Sequence, residues 1–364
     1  MKIKLLAALC AAAVIAGAPE QADACGVFNV KAADGSVISA RSMEFGYDIK
    51  SDLALVPRGT KFASPTPSGG KGLAWKTKYG FAGVTTAGDV NYILDGINEA
   101  GLAASGLWYD SVQWQEVTKK NDGKALSHLM LINWTLGKFA TVQEVRQAVK
   151  RVKIFGSYLE MMKSVPPMHV FVTDASGAAI VIEAGNGTVN VFDNPVGVMT
   201  NAPDFPWMLS NLRNYTGMSN HMAAPQNFMG MPVAPTGHGS GMFGLPGDLT
   251  PPARFVRLAV TLRFADPAPD AKSALNLARH ILNSVDIVRG MAVDLGRQGE
   301  VVSSETTEWS VLRDLKNRVL YFRTYDNLDL RKVELGRVDF KDGRLRRVAL
   351  YGQAETITDL TPAN

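Results

Sequence analysis

Two β-rich runs near the start of the chain, CGVFNV and SVISARSMEF, are separated by KAADG, and no other feature constrains the fold as much. Asp34-Gly35 between such runs is a strong hairpin signal, because glycine accepts the positive φ that tight hairpin turns require. A two-residue turn sets Cys25 across from Glu44. A three-residue loop shifts the register by one and brings Arg41 and Met43 onto the cysteine's face instead. In both registers an arginine and a carboxylate return to the neighbourhood of Cys25.

The same alternation recurs in clusters. FAGVTT, NYILDG and GLAASGLWYD read as strands, as do MHVFVTD, AAIVIEA and TVNVFD with turns at ASG and GNG, and later TEWSVLRD, RVLYFRT and KVELGRVDF. Helices are expected around Ala125 to Leu136, after Thr141 with Glu144 in capping-box spacing, over PWMLSNLRNY, and over ARFVRLAVTLR and AKSALNLARHILNSV. Strands gather in antiparallel clusters with helices between them, without βαβ alternation, so the class is α+β with antiparallel sheets. The Gly-, Pro- and Met-rich stretch from Thr216 to Thr250 has no period and reads as a long loop, a functional lid or an assembly arm.

The first residues place Lys2 and Lys4 before an apolar run from Leu5 to Ala18, with small residues at Ala22 and Ala24. That order is a secretory signal peptide over residues 1–24, and the run is shorter than the roughly 20 residues a spanning helix needs. The expected product is a single domain over 25–364 in the periplasm or outside the cell, without a membrane span. The net charge of +4, from 38 Lys+Arg against 34 Asp+Glu, is spread without dense basic runs. Nucleic acid is therefore not an expected partner.

Of the two cysteines, Cys10 lies in the leader, which leaves Cys25 as a lone thiol in an oxidising compartment. Cleavage after Ala24 makes Cys25 the N-terminal residue, with a thiol and a free α-amine on one carbon. A nearby guanidinium favours the thiolate, and an α-amine with a reference pKa of about 7.7–8.0 suits a general base near neutrality. A neighbouring carboxylate, Glu44, could then orient the amine as a third group orients the base in other nucleophile systems. The G-x-G-x-x-G match GSGMFG lacks a preceding strand and a following helix, so it is no dinucleotide site. The five histidines, His128, His169, His221, His238 and His280, show no metal-ligand spacing and read as ordinary core or surface residues; no cofactor or metal is expected.

CGVFNVKAADGSVISARSMEF, GVMTNAPDFPWMLSNLRNY and GLPGDLTPPARFVR, in that order, resemble the choloylglycine hydrolase family, which includes penicillin V acylases and conjugated bile salt hydrolases. The resemblance runs from Cys25 to about Phe340. It implies an N-terminal-nucleophile hydrolase, a four-layer αββα sandwich with two antiparallel sheets, often assembled as a homotetramer. By motif, Cys25 is the nucleophile and Arg41 the arginine beside it, and Glu44 stands where the family usually has aspartate. Asn201 lends its amide to the oxyanion hole, Arg254 completes the polar cluster, and the Trp108 N–H is the second oxyanion donor. Trp108 occupies a position held by asparagine in many bile salt hydrolases. It resembles the Gram-negative penicillin acylase branch, some members of which also cleave N-acyl homoserine lactones. The implied activity is hydrolysis of a small-molecule N-acyl amide, penicillin V-like or an N-acyl homoserine lactone, through a thioester. Conjugated bile salts are the alternative substrates. A non-catalytic exported binding protein, or a lipoprotein acylated at Cys25, is the reading from another class.

Overall fold

A computed structural model describes residues 24–296 and 298–361, so the leader residues 1–23 lie outside the described residues. Asp34-Gly35 does close a hairpin, between strands Gly26–Lys31 and Val37–Phe45. The loop has three residues. Ala32 N–H donates to the Ser36 carbonyl at 2.8 Å, Asp34 Oδ1 accepts from Ser36 N–H at 2.8 Å, and Gly35 takes φ +80°. A positive φ at the last loop position is what a three-residue hairpin asks of glycine.

This hairpin sits in a seven-stranded antiparallel sheet in the order Val198–Met199, Gly26–Lys31, Val37–Phe45, Val301–Asp314, Val319–Thr324, Asn327–Glu334. Ala292–Leu295 pairs with the outer half of the long Val301–Asp314 strand. A second, eight-stranded antiparallel sheet runs Thr188–Asp193, Ala179–Gly185, Met168–Thr173, Ala103–Trp108, Asp89–Asn98, Phe81–Thr86, Leu53–Val56, Arg346–Val348. Period-two burial assigns its faces: Phe171 and Val181 join the core between the sheets, while Val170, Val172, Ile180 and Ile182 pack outward. Helices α1 (Leu131–Lys138) and α2 (Val142–Val149) cover that outer face. Helix α3 (Phe205–Asn211) follows the Val198–Met199 strand, and α4 (Pro251–Phe264) and α5 (Ala271–Asn283) cover the first sheet. Helix, sheet, sheet, helix is the expected four-layer order.

Gly83 and Gly96 face each other in the second sheet beneath α1. A Cβ at Gly96 would stand 2.5 Å from the Ala82 carbonyl oxygen and 2.7 Å from Leu136 Cδ1. Gly96→Ala should therefore cost about 1–3 kcal/mol by overpacking, read as a lower urea midpoint at unchanged m-value. An unchanged midpoint would show that the α1 contact is slack.

Several local expectations shift. Thr141 caps α2, its Oγ1 accepting from Glu144 N–H at 3.2 Å, but Glu144 reaches back to Ala140 N–H rather than to the cap. The expected helix from Ala125 begins only at Leu131, because Ala125–Ser127 is taken as a strand parallel to Lys153–Phe155. The KVELGRVDF strand ends at Glu334 and begins at Asn327. Its partner starts at Val319, which pairs with Glu334, so the ladder has nothing further to bond. The Thr216–Thr250 stretch contains a small hairpin, Gln226–Phe228 with Met231–Val233, whose Phe228, Met229 and Met231 are exposed.

Candidate active site

The three-residue loop decides between the two registers. Gly26 pairs with Ser42 and Val27 with Arg41, which puts Cys25 across from Met43. Arg41 and Met43 consequently share the cysteine's face, and Glu44 turns to the face covered by α4 and α5. Arg41 Nη2 lies 3.7 Å from Cys25 Sγ and 3.1 Å from Met43 Sδ, while Nη1 donates to the Leu94 carbonyl at 3.0 Å. Cys25, Arg41 and Met43 are all buried. A guanidinium this close to a sulfur favours the thiolate over the thiol.

Asn201 arrives from the other side of the same strand. The Val198–Met199 strand pairs with Gly26–Lys31, Val27 opposite Met199, so two residues beyond the ladder Asn201 faces Cys25. Its Oδ1 accepts from the Cys25 nitrogen at 2.9 Å and from Arg254 Nη2 at 2.8 Å. Arg254 can only donate, so the oxygen must face it, and the amide nitrogen must face the other way. That nitrogen donates to the Trp108 carbonyl at 3.1 Å and keeps a second hydrogen. Arg254, in the first turn of α4, also donates from Nη1 to the Cys25 carbonyl at 2.5 Å and from Nε to the Leu249 carbonyl at 3.0 Å. It is buried, and burial pulls its pKa below the ordinary guanidinium value.

Trp108 ends the Ala103–Trp108 strand. Tyr109 N–H bonds to the Pro167 carbonyl at 3.2 Å, so in the antiparallel alternation Trp108 turns its own N–H and C=O away from that neighbour and toward Asn201. The Asn201 amide and the Trp108 backbone, the two groups named from the sequence, are thus in direct contact.

Glu44 falls where the three-residue register has it, off the cysteine's face. Its Oε1 accepts from Thr307 Oγ1 at 2.8 Å, and Oε2 has no hydrogen-bond partner among the described residues. Burial pushes its pKa up to about 8, against the pull of Arg254. A carboxyl group that is neutral at pH 7 is a poor orienter of an amine, and the Cys25 nitrogen donates to Asn201 Oδ1.

Sequence reasoning passed over four further residues. Asp95 accepts from Arg313 Nη1 through both oxygens at 2.7 Å and lies 3.6 Å from Arg41 Nη1, tying the two sheets together behind the thiol. His169 links Glu183 Oε1 at 2.9 Å to the Thr200 carbonyl at 2.8 Å, and Glu183 also accepts from Phe205 N–H at 3.1 Å. The pair brackets the turn that carries Asn201.

Cys25 and Arg41 open into a cleft of about 570 Å³, its open mouth included, walled by Met43, Leu107, Trp108, Leu159, Met162 and Met168. The lining is that of a small-molecule site with few polar groups.

Residues 25–345 match the linear amide C–N hydrolases, choloylglycine hydrolase family. The chain is 30% identical over 332 residues to a bile salt hydrolase/transferase of Clostridium perfringens, covering 89% of this chain and 96% of that one. It is 25% identical over 321 residues to a penicillin V acylase of Pectobacterium atrosepticum, 83% and 78% covered. A variant of the conjugated bile acid hydrolase from Clostridium perfringens superimposes with TM-score 0.80 at 25% identity, over 93% of this chain and all of that one. The fold of penicillin V acylase from Agrobacterium tumefaciens also matches, with TM-score 0.72 at 22% identity over 89% and 91%.

Proposed function

Because the chain belongs to the choloylglycine hydrolase family of linear amide C–N hydrolases, we propose that it is an exported amidase for N-acyl amides with an apolar acyl group, penicillin V-like or N-acyl homoserine lactones. Cleavage after Ala24 frees the Cys25 α-amine, whose nitrogen is already held by Asn201 at 2.9 Å. The amine takes the thiol proton, and the thiolate attacks the acyl carbonyl. The oxyanion of the tetrahedral intermediate accepts from the spare Asn201 Nδ2 hydrogen and from the Trp108 N–H. Collapse breaks the C–N bond as the α-ammonium returns its proton to the leaving amine. Water then attacks the Cys25 thioester, giving the free acid and restoring the thiol.

One observation carries the substrate class: the nucleophile opens into an apolar cleft whose walls are leucine, methionine and tryptophan. Among the described residues no helix is long and apolar enough to cross a membrane. The homotetramer implied by the resemblance stays part of this proposal. The relatives named as bile salt hydrolases support a second reading, conjugated bile salts as substrates.

Amine release from penicillin V, an N-acyl homoserine lactone and a glycine-conjugated bile salt, run in parallel with Cys25→Ala as blank, tests both. Cys25-dependent release is expected from the first two. Release mainly from the bile salt would make the second reading the working one, and release by Cys25→Ala would end the nucleophile assignment.

A further inference from the structure

Behind the thiol lies an unbalanced set of buried charges. Arg41, Arg313 and Asp95 are each at most 1% exposed, two guanidiniums against one carboxylate. The carboxylate is not shared evenly. Arg313 holds both Asp95 oxygens at 2.7 Å, with Ser105 Oγ donating to one of them at 2.6 Å, whereas Arg41 stands off at 3.6 Å. Ser39 fixes Arg313 in turn, its Oγ accepting from Nη2 at 2.9 Å. The other contacts of Arg41 are uncharged: the Leu94 carbonyl, the Met43 sulfur and the face of Trp309, 5.1 Å from the guanidinium carbon. Cys25 is the remaining neighbour of Arg41 that can supply a negative charge.

We propose that Arg313 is a positioning residue for the nucleophile: by occupying Asp95 it keeps the charge of Arg41 uncommitted, and that charge holds Cys25 as the thiolate. Arg313 acts through Asp95 and Arg41 and never meets substrate. Coulomb energy rises steeply as a pair closes and as water is excluded, so which arginine owns the carboxylate matters more here than at a surface. The charged and titratable groups around Cys25 are Arg41 beside its sulfur and Tyr92 in the same cleft, Asp95 and Arg313 behind Arg41, and Arg254 on its carbonyl, with the Glu44 and Glu305 carboxyls near Arg254 on the other face. Only the Asp95 charge can be moved between the two guanidiniums.

The inference rests on Cys25 being the nucleophile, yet its test reads the thiol and not turnover. The measured quantity is the pH midpoint of Cys25 alkylation by iodoacetamide in the purified protein. Arg313→Gln keeps hydrogen-bond donors for Asp95 and Ser39 but removes the charge. Asp95 is then free to close on Arg41, and the midpoint is expected to rise by about one unit, a roughly tenfold loss of alkylation rate below it. Asp95→Asn removes the competitor for Arg41, and the midpoint should fall. The Asp95→Asn/Arg313→Gln double variant should return to the wild-type midpoint, and Arg313→Lys should stay near it. A merely structural role would move no midpoint, or move all of them together. Should one single variant fail to fold, the other still decides: an unchanged midpoint in Arg313→Gln, or an unchanged or raised one in Asp95→Asn, overturns the proposal. Amine release by the wild type judges the amidase reading separately.

Discussion

Asn201→Ala lowers kcat by about 10²–10³-fold with a much smaller effect on KM. Among the described residues the spare Nδ2 hydrogen has no acceptor, and it acquires one when an oxyanion forms beside Cys25. Loss of such a donor therefore shows in kcat. Alanine also strips Arg254 Nη2 and the Cys25 nitrogen of their acceptor, so the variant alone mixes catalysis with stability. Asn201→Asp separates the two. It retains an oxygen for Arg254 and for the Cys25 nitrogen, so thermal stability should stay near wild type. It replaces the donor by a charge that repels the developing oxyanion, so kcat should fall at least as far as in Asn201→Ala. An Asn201→Asp enzyme within tenfold of wild-type kcat would remove Asn201 from the oxyanion hole.

What could be read from the chain alone follows distance along it. The hairpin, its glycine and the nearness of Arg41 to Cys25 are local, and the Val27 to Arg41 pairing needs only the loop length. Loop length itself was ambiguous between two and three residues, and that one residue reassigns every side chain on the strand. Strand periodicity did carry a warning about Glu44. Arg41 and Glu44 are three positions apart, an odd spacing, so a straight strand sends them to opposite faces and both cannot flank one side chain. Asp95 and Arg313 were illegible for a different reason. They come from separate sheets, and NYILDG and TEWSVLRD read as ordinary strands until the layers are stacked. His169 reads as an ordinary core or surface histidine because its partners, Glu183 and Thr200, have no sequence spacing that marks them. The Ala125 helix start failed where tertiary pairing with Lys153–Phe155 outweighed local propensity.

Glu44→Gln should make the protein more stable than wild type at pH 9, by about 4 kcal/mol relative to their difference at pH 4.5. In the unfolded chain the carboxyl ionises near its ordinary value of 4.5, while burial raises it to about 8 in the fold. Between those values the folded state holds a proton that the unfolded state lacks. Stability then falls with rising pH by about 1.4 kcal/mol per unit, fully present below 4.5 and lost through about 8. Glutamine keeps an acceptor for Thr307 Oγ1 and carries no charge at any pH, so this slope disappears. Glu305, raised to about 7 by its own burial, contributes a slope of the same sign, so the quantity to compare is the difference between variant and wild type in urea midpoints at pH 4.5 and 9. Equal slopes in the two proteins would show that Glu44 is ionised in the fold. The same variant also tests chemistry. If a Glu44 carboxylate oriented the Cys25 amine, Glu44→Gln would lose activity at every pH. With Glu44 neutral, activity at pH 7 should stay within a few-fold of wild type, because Asn201 and Arg254 already hold the Cys25 nitrogen and carbonyl. A neutral Glu44 removes one of the anions near Arg254 at that pH and leaves Cys25 and Glu305 as the others.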